Sequence, residues 1–188
     1  MEKTSETQTN LSAYNNDWYK PGSYPKLIIW YLLNRLFIHT HIPYPSALKV
    51  MLLRLFGAKI GEGVVIKPMV NVKYPWFLQI GDHVWIGENV WIDNLTLVTI
   101  ESNACLSQGA MLLTGNHNYR KSAFDLIVKP ITLGPGSWIG AQATVCPGVN
   151  VGSHALLTVG SVATSHLDAY GIYQGNPAKY IKTRTITN

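Results

Sequence analysis

Residues 80–112 read IGDHVWIGENVWIDNLTLVTIESNACLSQGAML, and residues 133–157 read LGPGSWIGAQATVCPGVNVGSHALL. Within each run an Ile, Leu or Val returns every sixth residue: Ile80, Ile86 and Ile92; Ile100, Leu106 and Leu112; then Leu133, Ile139, Val145, Val151 and Leu157. Extended backwards, the ladder takes in Ile60, Ile66 and Val72. All fourteen rungs are Ile, Leu or Val, types that make up only 50 of the 188 residues, so the period is not a by-product of composition. A second column, four residues after the rung, is small or β-branched: Val64, Val70, Val84, Val90, Thr96, Ala104, Ala110, Ser137, Ala143, Val149, Ala155 and Ser161. Trp76 and Asn116 break that column, each beside an insertion. Gly often follows the rung, as at Gly61, Gly81, Gly87, Gly134, Gly140 and Gly152.

Six is the period of a β-solenoid. Each unit is a short strand and a turn, three units close one triangular coil, and the rung and the small residue after it both point into the prism. No coil can bury its apolar face alone, and stacking buries it. The fold class predicted is therefore an all-β solenoid, a parallel β-helix of five triangular coils beginning at Ile60, Ile80, Ile100, Leu133 and Val151. Measured against three six-residue units, the first two coils each carry two extra residues, and the third carries fifteen within residues 113–132. Long insertions on a rigid scaffold are where sites are usually built.

Ahead of the ladder, residues 27–38 (LIIWYLLNRLFI) are apolar over enough length for three helical turns, and Pro43 and Pro45 end the run. Ser46 is placed to cap a second helix over 47–56, with Gly57 at its end. The chain thus divides into a polar arm at 1–24, expected to be flexible, and a helical hairpin at 25–57. The solenoid follows at 58–165 with its inserted loop at 113–132, and a tail covers 166–188. The hairpin is placed to cap the first coil, whose open end would otherwise expose strands and core. Its apolar, aromatic surface also suits a peripheral membrane contact.

Apolar residues make up 47% and charged residues 13%, about half the usual charged share, which excludes a disordered chain. Two cysteines, Cys105 and Cys146, give neither a disulfide framework nor a CxxC, so a reducing, cytoplasmic setting is expected. The start MEKTSETQTN has no apolar run of the secretory kind, and residues 27–38 fall short of the ~20 needed to span a bilayer. The net charge of +5 fits an anionic cofactor, a membrane surface or nucleic acid and does not choose among them, although no nucleic-acid motif is present.

Of the six histidines only His117 lies in the long insertion. His39 and His41 sit in the hairpin, His83 and His154 at outward turn positions, and His166 in the tail. An imidazole titrates near neutrality, so His117 suits a general base, and a loop histidine with a structural hydrogen bond is the alternative. Cys105 and Cys146 read as structural. Trp85 and Trp91 share outward geometry five residues after a rung, which suggests packing under the hairpin ahead of a subunit contact or a sugar platform.

The stretches LLRLFGAKIGEGVVIKP, YPWFLQIGDHVWIGENVWIDN, LTGNHNYRKSAFDLIVKPITLGPGSWIGAQATVCPGVNVG and YQGNPAKYIK carry a resemblance over residues 25–182. The chain resembles the left-handed parallel β-helix hexapeptide-repeat acetyltransferases, in particular the colanic-acid-biosynthesis group, related to the maltose and galactoside acetyltransferases. The resemblance implies acetyl-CoA as co-substrate, a homotrimer with the cofactor between neighbouring prisms, and a sugar hydroxyl in an exopolysaccharide precursor as acceptor. It implies His117 of TGNHNY as the catalytic base, with Asp93, Asn94 and Asn116 on the acceptor. Asp93 stands where the sugar acetyltransferases typically carry Asn, so it could hold the acceptor or orient His117. Trp138, Gly140, Ala141, Val159, Thr164 and Ser165 match the pantetheine groove, with the Ala141 N–H suited to an oxyanion. Lys179 and Lys182 match a tail that folds over the cofactor near its phosphates. Thr164-Ser165 departs from a common Thr-Lys and removes one cation.

Three other functions compete. A zinc carbonic anhydrase can share this solenoid but needs a second histidine in the loop, and Asn118, Tyr119, Arg120 and Lys121 follow His117, so no metal is expected. A non-catalytic trimeric scaffold leaves the histidine-bearing insertion and the basic tail unexplained. N-acetylation of an amino sugar differs from O-acetylation only in the acceptor.

Overall fold

The computed structural model describes residues 7–187, and they form a parallel β-solenoid of three faces. The first face stacks Lys59–Ile60, Leu78–Ile80, Val98–Ile100, Ile131–Leu133 and Asn150–Val151 in parallel. The second stacks Val65–Ile66, Trp85–Ile86, Cys105–Leu106, Trp138–Ile139 and Leu156–Leu157, then Gly171–Gly175. The third stacks Asn71–Val72, Trp91–Asp93, Met111–Leu113, Thr144–Val145 and Val162–Ala163. Five coils start at the expected rungs. A sixth is begun as well, because Leu167 bridges Val151 and the strand at 171–175 joins the second face. The last strand, Ala178–Thr183, returns antiparallel on it.

The six-residue period follows from the packing. Every rung from Ile66 to Leu157 is buried, and the small column fills the space beside it. Three residues after the rung the chain turns with a positive φ, as at His83 (55°), Asn89 (58°) and Gln142 (56°). The Gly after the rung has a different cause. A Cβ on Gly140 would lie 2.6–2.8 Å from backbone atoms of Leu157, Thr158 and Val159 in the next coil. The coils stack too closely there for any side chain.

All three insertions leave the same edge, between the third and first faces. The two-residue bulges shift the inward register there. Asn94 turns fully inside and bonds the Tyr74 N–H (3.0 Å) and carbonyl (2.6 Å) of the coil below. Thr96, expected inside, is only half-buried.

The hairpin starts earlier than expected, with α1 at Tyr24–Leu33 running into a π-helical turn at Asn34–Ile38, and α2 at Ser46–Leu55. Ser46 does not cap α2. Its hydroxyl accepts from the Ile66 N–H (3.0 Å), on the open edge of the second face. Lys49, fully buried, donates to the carbonyls of Ile66 (3.2 Å) and Lys67 (2.9 Å), and burial pushes its pKa down. Arg54 bonds the Ile60 and Gly61 carbonyls of the first face in the same way. Trp30, Ile38 and Leu53 join the apolar core. The hairpin therefore satisfies the polar edge of the first coil while burying its end.

The arm expected to be flexible is held from Asn10 to Tyr19. The Asn10 N–H donates to the Ser122 carbonyl (2.8 Å), and the Tyr19 hydroxyl donates to the Leu95 carbonyl. Residues 1–6 of that arm lie outside the described residues.

Candidate functional site

The long insertion contains a β-hairpin in which Gly115–His117 pairs with Leu126–Val128, His117 opposite Leu126. Buried Thr114 roots it, since its N–H (3.2 Å) and hydroxyl (2.9 Å) both donate to the Asp93 carbonyl. The Asn116 side-chain oxygen accepts from the His117 N–H (2.8 Å). His117 Nδ1 lies 2.8 Å from the Phe124 carbonyl oxygen. A carbonyl only accepts, so Nδ1 carries a proton in this contact, and in the neutral tautomer it selects the lone pair falls on Nε2. The Phe124 ring stacks on the imidazole, centroids 4.4 Å apart and planes within 7°. Phe124 has φ of 53°, a costly conformation for an aromatic residue, at the position that sets both the tautomer and one packing partner of His117. A second ring, Tyr14 of the arm, packs on His117 with centroids 5.7 Å apart.

Asp93 ends its strand on the third face at the edge from which the hairpin leaves. Its carboxylate lies 2.9 Å from Lys73 Nζ, and its side chain is 18% exposed. Both residues line a cavity of about 390 Å³ between α1 and the third face. Trp30, Tyr31 and Trp91 give it aromatic walls, and Asn34 and Arg35 add polar groups. Asn34 is 5% exposed and spends its amide N–H on the Asn71 side-chain oxygen (2.7 Å). Its own side-chain oxygen has no partner among the described residues.

Two expected site residues are corrected. Asn94 is wholly inside the prism with its amide committed to Tyr74, so it shapes the edge and does not face an acceptor. Gly140 is buried under the next coil, which explains the glycine by stacking and leaves it no ligand-facing surface. Trp85 does not pack under the hairpin, being 60% exposed, whereas Trp91 lines the cavity that α1 covers.

The remaining residues matched to a cofactor are divided between the second face with its closing strand and two edges of the prism. Trp138 stands on the second face, its indole N–H donating to the Ser107 hydroxyl (2.9 Å). Ala141 and Val159 follow at the edge between the second and third faces. The Ala141 carbonyl accepts from the Gly160 N–H (2.9 Å), and its own N–H has no acceptor among the described residues. Val159 is 69% exposed. Lys179 and Lys182 are exposed on the closing strand, Lys182 opposite Ile172 in the row that continues Trp138 and Leu156. Thr164 and Ser165, also exposed, follow the third face and lie on the His117 edge. His117 and Ala141 thus occupy different edges of one prism, with the third face between them.

The two cysteine thiols have pKa values raised by burial, which keeps them protonated near neutrality and unsuited to nucleophilic attack. No group of three or more His, Cys, Asp or Glu placed to hold a metal occurs among the described residues. Among them also, no helix is long and apolar enough to cross a membrane.

Tyr14, Phe124, Lys73 and Asn34 were not singled out by the sequence. Only Lys73 had a usable signal, standing one coil of twenty residues before Asp93.

No protein-family model matches the chain. It is 38% identical over 139 residues to WcaF of Escherichia coli K12, whose name assigns it to colanic acid biosynthesis as an acetyltransferase. That match covers 74% of this chain and 76% of the relative. Among solved structures, the fold is similar to a hexapeptide-repeat acetyltransferase of Vibrio cholerae (TM-score 0.76, 22% identity, 88% of this chain and 96% of that one). It is equally similar to a galactoside acetyltransferase in complex with coenzyme A (TM-score 0.76, 24% identity, 86% and 82%).

Proposed function

The chain belongs to the hexapeptide-repeat acetyltransferases, in the WcaF-like group, and from that premise we propose that it transfers the acetyl group of acetyl-CoA to a saccharide hydroxyl with His117 as general base. The observation that carries this reading is the Nδ1 hydrogen bond to the Phe124 carbonyl, which orients the ring and, in the neutral imidazole, makes Nε2 the proton acceptor.

His117 Nε2 takes the proton of the acceptor hydroxyl as its oxygen attacks the thioester carbonyl. The tetrahedral oxyanion meets a backbone N–H, for which Ala141 has a free one. Collapse expels the coenzyme A thiolate, which recovers the proton from His117, so the balance is an acetyl ester and a free thiol. The thioester is already activated, so no cysteine or serine nucleophile is required.

The residues present suit the cofactor. Trp138 and Val159 offer an exposed apolar wall for the pantetheine chain, and Lys179 and Lys182 offer point charges for its phosphates. Because Ala141 and His117 stand on different edges, a neighbouring subunit supplies the facing wall, and the working form is a homotrimer. The cavity beneath α1 suits the acceptor: aromatic walls stack on sugar rings, the Lys73–Asp93 pair binds hydroxyls, and the unpartnered Asn34 oxygen accepts from one. WcaF is named for colanic acid, and the acceptor class proposed is a precursor of such an exopolysaccharide.

A screen of free, nucleotide-linked and lipid-linked sugars with acetyl-CoA, read as thiol release, tests this. Release dependent on a neutral sugar is the expected result. Release only with amino sugars would move the reading to N-acetylation, and no release with any saccharide would remove it.

A further inference from the structure

We propose that the outer face of the helical hairpin docks on an anionic lipid bilayer. The inward stripe of α1 and its π-helical turn is Trp30, Asn34 and Ile38. The rest of the helix is equally apolar, yet Ile28, Ile29, Tyr31, Leu32 and Leu36 are 43–59% exposed, and Leu55 of α2 is 74% exposed. A helix with apolar side chains on its outer as well as its inner side has a partner for both, and exposed apolar side chains grouped in this way mark an interaction surface.

Charge identifies the partner. Between Asp17 and Glu62 the sequence has no acidic residue, while Lys20, Lys26, Arg35, Lys49, Arg54 and Lys59 fall inside that window. The window holds six of the fifteen Lys and Arg and none of the ten Asp and Glu, which leaves the rest of the chain with nine cations against ten anions. Lys49 and Arg54 are tied to carbonyls and Lys26 sits over the Trp76 ring, while Arg35 is exposed beside Tyr31 on the helix itself, and Lys20 and Lys59 are exposed on the segments that flank the hairpin. Outside the window the charges of the chain nearly balance, so a second copy brings little net negative charge to such a face, and two hairpins placed face to face bring like charges together. Phosphate-bearing lipid supplies both requirements, an apolar layer for Ile and Leu and an anionic plane for Lys and Arg. With no spanning helix among the described residues, the hairpin lies in the interface. Ile28 and Tyr31 also line the cavity beside Asp93, so docking presents that cavity to acceptors held at the bilayer.

The test is co-sedimentation of the full chain with vesicles, and it needs no acetyl transfer. The probes are phosphatidylcholine alone and phosphatidylcholine mixed with phosphatidylglycerol. Binding to the mixed vesicles, weaker in high salt and far weaker to phosphatidylcholine alone, is expected. Ile29→Glu with Leu32→Glu removes two apolar anchors and should lower the binding constant by about tenfold or more. Leu36→Gln with Leu55→Gln is the gentler second pair, should the first disturb folding. Absence of vesicle binding by the wild-type chain would overturn the proposal. So would a loss of subunit association in either folded variant with vesicle binding unchanged, which would assign the face to a second copy.

Discussion

His117 is held by groups from three places: the Phe124 carbonyl and ring of its own hairpin, the Asn116 amide beside it, and the Tyr14 ring from a segment about a hundred residues earlier. The first two fix tautomer and backbone. Tyr14 closes on the imidazole and depends on the arm staying seated through Asn10 and Tyr19. If His117 is the base proposed, Tyr14→Ala should therefore lower kcat, by up to about 10²-fold for a drift of the imidazole by an ångström, while leaving the KM for acetyl-CoA unchanged. Tyr14→Phe keeps the ring and should keep the rate. In a His117→Ala background the Tyr14→Ala loss should vanish, because the proposed base is no longer there to position. An equal loss in both backgrounds would make Tyr14 a purely structural residue. Nothing in the sequence marked Tyr14, because its partner is distant and the arm carries no periodic pattern.

At the scale of the coil, the spacing between stacked strands decides which residues are tolerated. A methyl on Gly140 meets backbone of the coil above, which cannot move aside as a side-chain tip can. Gly140→Ala should cost about 1–3 kcal/mol, read as a fall in Tm of roughly 2–4 °C per kcal/mol. Gly160→Asn is the contrast, since space is open there and the matching turn positions already carry Asn89 and Asn103. It should change stability by less than about 0.5 kcal/mol. A loss of stability as large in Gly160→Asn would show that the turn, and not the coil spacing, demands glycine. The ladder was legible because one core constraint repeats fourteen times from Ile60 to Leu157. Asn94 was misread because a two-residue bulge turns it inward, and a register shift of that kind leaves no trace in side-chain type. The begun sixth coil was missed because Leu167 and Gly171–Gly175 follow a gap and lose the six-residue spacing.

At the scale of the whole molecule, the proposed chemistry needs more than one prism. The proposed base, His117, stands on one edge and the Ala141 N–H, without an acceptor among the described residues, on another, so under that proposal the facing wall comes from a neighbour. A cyclic trimer closes three such contacts with one type of interface. Light scattering should give three times 20.9 kDa at working concentration, and a monomer with full activity would rule out a shared site. The proposed acetyl transfer rests on His117, and one substitution tests it most directly. His117 is half-buried in the inserted hairpin and outside the apolar core, so His117→Ala should fold, assemble and bind coenzyme A as the wild type does. Its turnover with acetyl-CoA and the preferred saccharide should fall by about 10²–10⁴-fold, the usual contribution of a positioned general base. A folded His117→Ala enzyme that keeps more than about a tenth of wild-type turnover, well short of that loss, would contradict the account and leave the proton transfer to another group.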